Sequence, residues 1–160
     1  MMPLCTFDNF SQFSFKKGGR FLGFDLGEKT IGLALSDTSR LIATPFRVIH
    51  RTQWKKDSEI LLKIINEYNI IGIVIGFPLN MNGSEGPRCQ STRQFASNLV
   101  AVIDLPICLW DERLSTVAVT RTLIEADLSR VKRSKVIDKV AASYILQGFL
   151  DAVHHLQKSI

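Results

Sequence analysis

An α/β fold, a five-stranded mixed sheet covered by helices on both faces, is predicted by three features of the sequence. First, RFLGFDL, GEKT and IGLALSD follow one another over 20–37, so two apolar strands meet at a tight turn. Second, helical and strand periodicities alternate from residue 52 onward. Third, IIGIVIGF (70–77) is a continuous apolar run, the mark of a strand buried on both faces. A chain of 160 residues has the length for one such domain and is too short for two.

The elements follow in order. Residues 1–19, MMPLCTFDNFSQFSFKKGG, lack the apolar core and cleavage site of a signal peptide. They are expected to form a loosely ordered extension before a single domain over 20–155, although Phe7, Phe10 and Phe13 recur at the spacing of one side of a short helix. RFLGFDL and IGLALSD are the first two strands, and LIATPFRVIH (41–50) is the third, with Pro45 pointing to an edge or a bulge. Thr52 is the expected N-cap of a helix to about Asn69, whose apolar face is Trp54, Leu61, Ile64, Ile65 and Tyr68. After the strand at 70–77 comes the loop PLNMNGSEGP, and Pro87 opens a helix to about Ile103. LPICLWDE (105–112) is the fifth strand, Ser115 or Thr116 caps a helix to about Ala126, DLSRVKRSK (127–135) reads as a polar loop, and a last helix runs from about Val136 to His155.

Composition removes several function classes. With 46% hydrophobic and 22% charged residues, disorder, collagen and coiled coil are excluded. No apolar run approaches the roughly 18 residues that span a bilayer, so no membrane role is expected. Twenty basic against 15 acidic residues leave a net charge of +5, which permits a polyanionic partner without demanding one. The three cysteines, Cys5, Cys89 and Cys108, form neither a CxxC nor a Cys/His cluster, so free thiols in a reducing cytoplasm are expected. His50, His154 and His155 group with no other reactive residue and take no role.

Three acids stand out against this background. Asp25 lies in FLGFDLG, a strand apolar on both sides, where an unpaired carboxylate is costly. Glu112 lies in WDERLST at the end of the fifth strand, where Asp111 and Glu112 point to opposite faces. Asp138 shares a helical stripe with Ala142, Ile145 and Phe149, so an acid heads a face otherwise suited to packing. Each has a structural reading, as a turn aspartate, an acidic turn and a helix-dipole acid. Together they suit a metal site, since converging carboxylates repel unless cations intervene. Mg²⁺ is the natural cation, with Mn²⁺ able to substitute, and a pair of them can activate water against a phosphodiester.

GFDLGEKTIGLALSD, IGFPLNMNGSEGP, DERLST and IDKVAASYILQGFL, spread over about 20–153, resemble the YqgF/RuvX family. Its members are described as Holliday junction resolvases and as nucleases that mature the 5′ end of pre-16S rRNA. The resemblance implies a ribonuclease H-like fold and an endonuclease acting on structured nucleic acid, with Asp25, Glu112 and Asp138 as metal-binding catalytic acids. Precursor rRNA is then the expected substrate, free or in a ribosomal particle. A four-way DNA junction is the alternative, and a homodimer would serve it better than a monomer. Two departures are visible. The turn reads GEKTIG where members more often carry GTKRIG, and Ala141 stands where RuvC-type resolvases have a second acid.

Arg130, Lys132, Arg133 and Lys135 place four cations within six residues ahead of Asp138, as phosphate contacts would. Asn82, in the Asn-Gly turn of the 78–87 loop, could touch substrate at the site edge. Two other classes compete. A non-catalytic factor could hold RNA, a ribosome-assembly partner or a transcription partner with the same basic segment, but has no use for three converging acids. A sugar-kinase or actin-like phosphate binder also ends its first strand in DxG, but needs two such domains.

Overall fold

The computed structural model describes residues 4–5, 7, 17–114 and 130–158. Their elements are β1 (Leu4–Cys5), β2 (Arg20–Leu26), β3 (Thr30–Ser36), β4 (Ala43–His50), α1 (Trp54–Glu67), β5 (Ile70–Phe77), α2 (Pro87–Val100), β6 (Ile107–Asp111) and α3 (Arg130–Lys158). The sheet order is β1-β6-β5-β2-β3-β4. The β2, β3 and β4 strands are antiparallel neighbours, and β2, β5, β6 and β1 run parallel. The five expected strands are all present, in a mixed sheet with helices on both faces. A sixth comes from the N-terminal extension, where the Leu4–Cys5 backbone pairs with the outer edge of β6. Phe7 reinforces that attachment, its ring lying 5.3 Å from Trp110 and 5.7 Å from Phe149. The rest of the Phe7, Phe10 and Phe13 series lies outside the described residues, as does the helix expected to about Ala126.

The alternation of side chains along each strand divides the core into two layers. Leu22, Phe24, Leu26, Ile31, Leu33, Ile73, Ile75 and Ile107 meet α1 and α2 on one face. Phe21, Ala34, Val74, Cys108 and Trp110 meet the α3 residues Ala142, Ile145, Leu146 and Phe149 on the other. The strand at 70–77 has the bounds expected for it and is buried on both sides. Pro45 lies on the edge strand beside a register shift opposite Leu33/Ala34, where a missing N–H costs little.

Two expectations are corrected. Thr52 does not cap α1: the N-cap is Gln53, and the buried Asp57 carboxylate instead accepts from the Thr52 N–H at 3.2 Å and hydroxyl at 3.0 Å. The segment containing Arg130, Lys132, Arg133 and Lys135 is helix, not loop, because α3 starts at Arg130. Arg and Lys are good helix formers, and no Gly or Pro interrupts the sequence before Gly148. Among the described residues no helix is long and apolar enough to cross a membrane.

Candidate active site

Asp25 is the next-to-last residue of β2 and only 3% exposed. It falls on the α3 face, because Gly23, two residues before it, meets Leu146 and Ala142 of α3. Its cross-strand partner in β3 is Gly32. That glycine is where α3 comes nearest to the sheet: a Cβ there would overlap the main-chain carbonyl of Asp138. Asp25 and Asp138 therefore flank one glycine. The Thr30 hydroxyl donates to Asp138 Oδ2 at 2.6 Å, which fixes that carboxylate against the start of β3.

The third acid arrives from the other side. Glu112 opens a short 3₁₀ turn (Glu112–Leu114) directly after β6. Its carboxylate lies over Gly76 of β5, where a Cβ would come 2.6 Å from Oε1. All three predicted acids thus stand on one face of the sheet, near the carboxyl ends of β2, β5 and β6. Asp138 is the ninth residue of α3, so the dipole of the helix N-terminus, confined to the first turn, does not account for it. Among the described residues no three His, Cys, Asp or Glu side chains form a group closed enough to hold a metal ion.

Asp111 serves a different purpose from Glu112. It accepts from the Arg113 Nη2 at 2.7 Å, from Nε at 3.1 Å and from the Arg113 main-chain N–H at 3.0 Å. The guanidinium holds the Asp111 carboxyl below the usual carboxylate range, against the upward push of partial burial. Arg113 Nη1 in turn donates to the Met81 carbonyl at 3.3 Å, tying the 78–86 loop to the end of β6. Within that loop the Asn82 side-chain carbonyl accepts from the Ser84 N–H at 3.0 Å and hydroxyl at 2.6 Å. Asn82 so spends its acceptor on loop structure, and Gly83 adopts φ +85°, a conformation glycine tolerates. The backbone at Arg130, Lys132, Arg133 and Lys135 forms the first turns of α3, one helical stretch with Asp138; their side chains lie outside the description.

Thr30, Gly32, Gly76 and Arg113 are the functional neighbours that sequence reasoning missed. A glycine inside an apolar strand is itself a sign of close approach, and Gly32 and Gly76 both carry it. Thr30 carries no such mark, because its partner Asp138 lies 108 residues away, and the Arg113 contact to the Met81 carbonyl joins residues 32 apart.

Residues 19–152 match the family model described as RuvX, Holliday junction resolvase. A candidate pre-16S rRNA nuclease of Paramagnetospirillum magneticum is 59% identical over 138 residues, covering 86% of this chain and 89% of that protein. Another from Ruegeria sp. is 59% identical over 138 residues, covering 86% and 88%. Among solved structures, RuvC of Thermus thermophilus bound to a Holliday junction substrate aligns with TM-score 0.55 at 10% identity, covering 88% of this chain and 97% of that one. The yeast mitochondrial Holliday junction resolvase Ydc2 aligns with TM-score 0.53 at 14% identity, covering 95% and 86%. At those identities the likeness is one of fold, and it bears out the ribonuclease H-like architecture. From the family match over most of its length and relatives more than half identical to it, the chain belongs to the RuvX family of nucleases.

Proposed function

We propose that this chain is a metal-dependent endonuclease of the cytoplasm that trims the 5′ end of precursor 16S rRNA, on free RNA or in a ribosomal particle. The observation that supports this most is the placement of Asp25, Glu112 and Asp138 on one face of the sheet, with Gly32 and Gly76 making room for the last two. The names of the relatives point to the precursor rRNA as substrate.

In kind, three carboxylates suit a hard divalent cation such as Mg²⁺ or Mn²⁺. In spacing they form no closed group of three, so the proposed binding includes movement of these side chains onto the ion. A bound divalent pair would supply an activated water and charge stabilisation for the departing oxygen. The chain's own part is positioning. Thr30 orients Asp138, the buried β2 backbone fixes Asp25, and Gly76 leaves space for Glu112 beside the sheet.

Cutting of a four-way DNA junction is the second reading, favoured by the family description. Against it, the RuvC-type second acid is replaced by Ala141, which is 2% exposed and packed in the core. One panel separates the readings: purified protein, with Mg²⁺ and then chelator, against a pre-16S fragment, a four-way junction and plain duplexes. Metal-dependent cutting of the precursor that is lost in Asp25→Asn is the expected result. Cutting of the junction alone selects the resolvase, and binding without any cutting selects a non-catalytic factor.

A further inference from the structure

On the opposite side of the β2–β3 turn from the carboxylates lies a cleft of about 700 Å³. Its wall contains Lys29 from the turn, Arg51 and Thr52 from the segment after β4, and Arg88 and Ser91 from the first turns of α2. Glu28 is the acid of the lining. The two arginines are held by main-chain carbonyls rather than by carboxylates. Arg51 donates to the Gly27 carbonyl at 2.8 Å, and Arg88 reaches the Leu26 carbonyl at 3.4 Å. Among the described residues Lys29, Arg51 and Arg88 form no ion pair. Arg51 is further steadied over the Phe95 ring, 5.5 Å from its centroid. Two guanidinium groups thus stand at the cleft without an ion-pair partner among the described residues.

The end of α2 adds to this. It has no side-chain cap and no acid in its first turn, and Arg88 stands there against the preference of the helix dipole for negative charge. The corresponding turn of α1 carries Asp57, which bonds Thr52 and so removes that hydroxyl from the cleft's donors. A cation at a helix N-terminus is unfavourable alone and becomes favourable beside an anion. The cleft also shares the 27–30 turn with the carboxylates. Leu26 and Gly27 line it immediately after Asp25, and Lys29 precedes the Thr30 that holds Asp138.

We propose that this cleft binds a backbone phosphate of the substrate strand, beside the bond to be cut, and so fixes the strand's register over the acids. The proposal rests on the nuclease reading above. Lys29, Arg51 and Arg88 supply charge, and Glu28 opposes them.

The test uses the full chain and two probes. Inorganic phosphate is titrated while the main-chain amides of Lys29 and of Arg88–Ser91 are followed by NMR. A single-stranded RNA is then bound by Asp25→Asn protein over a range of salt. The key variant is Ser91→Glu, which places a carboxylate in the cleft near a helix N-terminus, where it does not oppose folding. It should abolish the phosphate-induced shifts and weaken RNA binding at least about tenfold. Lys29→Gln with Arg88→Gln should lower the salt slope by about 0.7 for each phosphate that is no longer neutralised. Glu28→Gln should tighten both probes. Unchanged shifts, affinity and slope in these variants overturn the phosphate cleft. Wild-type protein that shows the phosphate shifts but cuts no nucleic acid supports the cleft and overturns the nuclease reading instead.

Discussion

The two faces of the sheet differ in what lies between strand and helix. Towards α1 and α2 the interface is a continuous layer of Ile, Leu and Phe, with Leu22, Phe24, Ile31, Leu33, Ile73 and Ile75 fully buried. Towards α3 the same strands present Gly23, Gly32 and Gly76, and the helix backbone or an acid comes down onto each. Apolar side chains keep a helix at a distance from the sheet and stabilise by burial. Glycines let backbone and carboxylates approach, at the cost of apolar packing. One face is therefore built for stability, and the other gives up apolar burial to place acids.

The sharpest way to break this division is a pair of substitutions, one on each face. Asp25→Asn should lower cleavage by more than the roughly 10–100-fold typical of losing an outer-shell partner of a metal, with little change in urea midpoint. Leu33→Ala, on the apolar face, should cost about 2–5 kcal/mol of stability and leave cleavage per folded molecule intact. Equal activity losses in the two would remove the distinction.

The glycines sharpen it further, because they meet different atoms. Gly32→Ala drives a methyl into the Asp138 carbonyl, part of a helix backbone that cannot step aside. It should destabilise by about 1–3 kcal/mol and displace Asp138, so that both the unfolding midpoint and the rate fall. Gly76→Ala meets flexible side chains and no backbone, with Glu112 Oε1 and Ile145 Cδ1 each at 2.6 Å and Glu112 Cγ at 3.2 Å. There stability should change by no more than about 1 kcal/mol while the rate drops, by displacement of Glu112.

Thr30→Val keeps the shape of the side chain and removes the donor to Asp138. The rate should fall on the order of tenfold, with more Mg²⁺ needed for half-maximal cleavage, and Thr30→Ser should restore both. The smallest effect belongs to Asp111 and Arg113. The folded-state pKa of Asp111 is depressed, so its contribution is complete above the ordinary carboxylate value and is lost as pH falls through and below it. The NMR signals of Met81–Ser84 should hold steady from neutral pH and move only below about pH 4. In Arg113→Ala they should be displaced at every pH.

Much of the fold is legible in the sequence because burial imposes a period on each element separately. The run at 70–77 needs no knowledge of its neighbours to be recognised as a central strand, and Asp25, Glu112 and Asp138 stand out as acids in apolar settings. The family motifs lend those acids a role that periodicity cannot. The start of α3 is not legible in the same way. Four cations in six residues resemble a solvated loop, whereas helix formation there depends on backbone bonds and the absence of a breaker.

What the sequence by itself determined is the five strands from Arg20 onward, the two helices between them, a sheet covered on both faces and the identity of the anomalous acids, all properties of local pattern. The tertiary structure alone decided which groups meet: Thr30 with Asp138, 108 residues apart, Glu112 over Gly76, and Leu4–Cys5 beside β6. Strand order and helix placement set those meetings, and they depend on packing between distant segments, which no local period encodes.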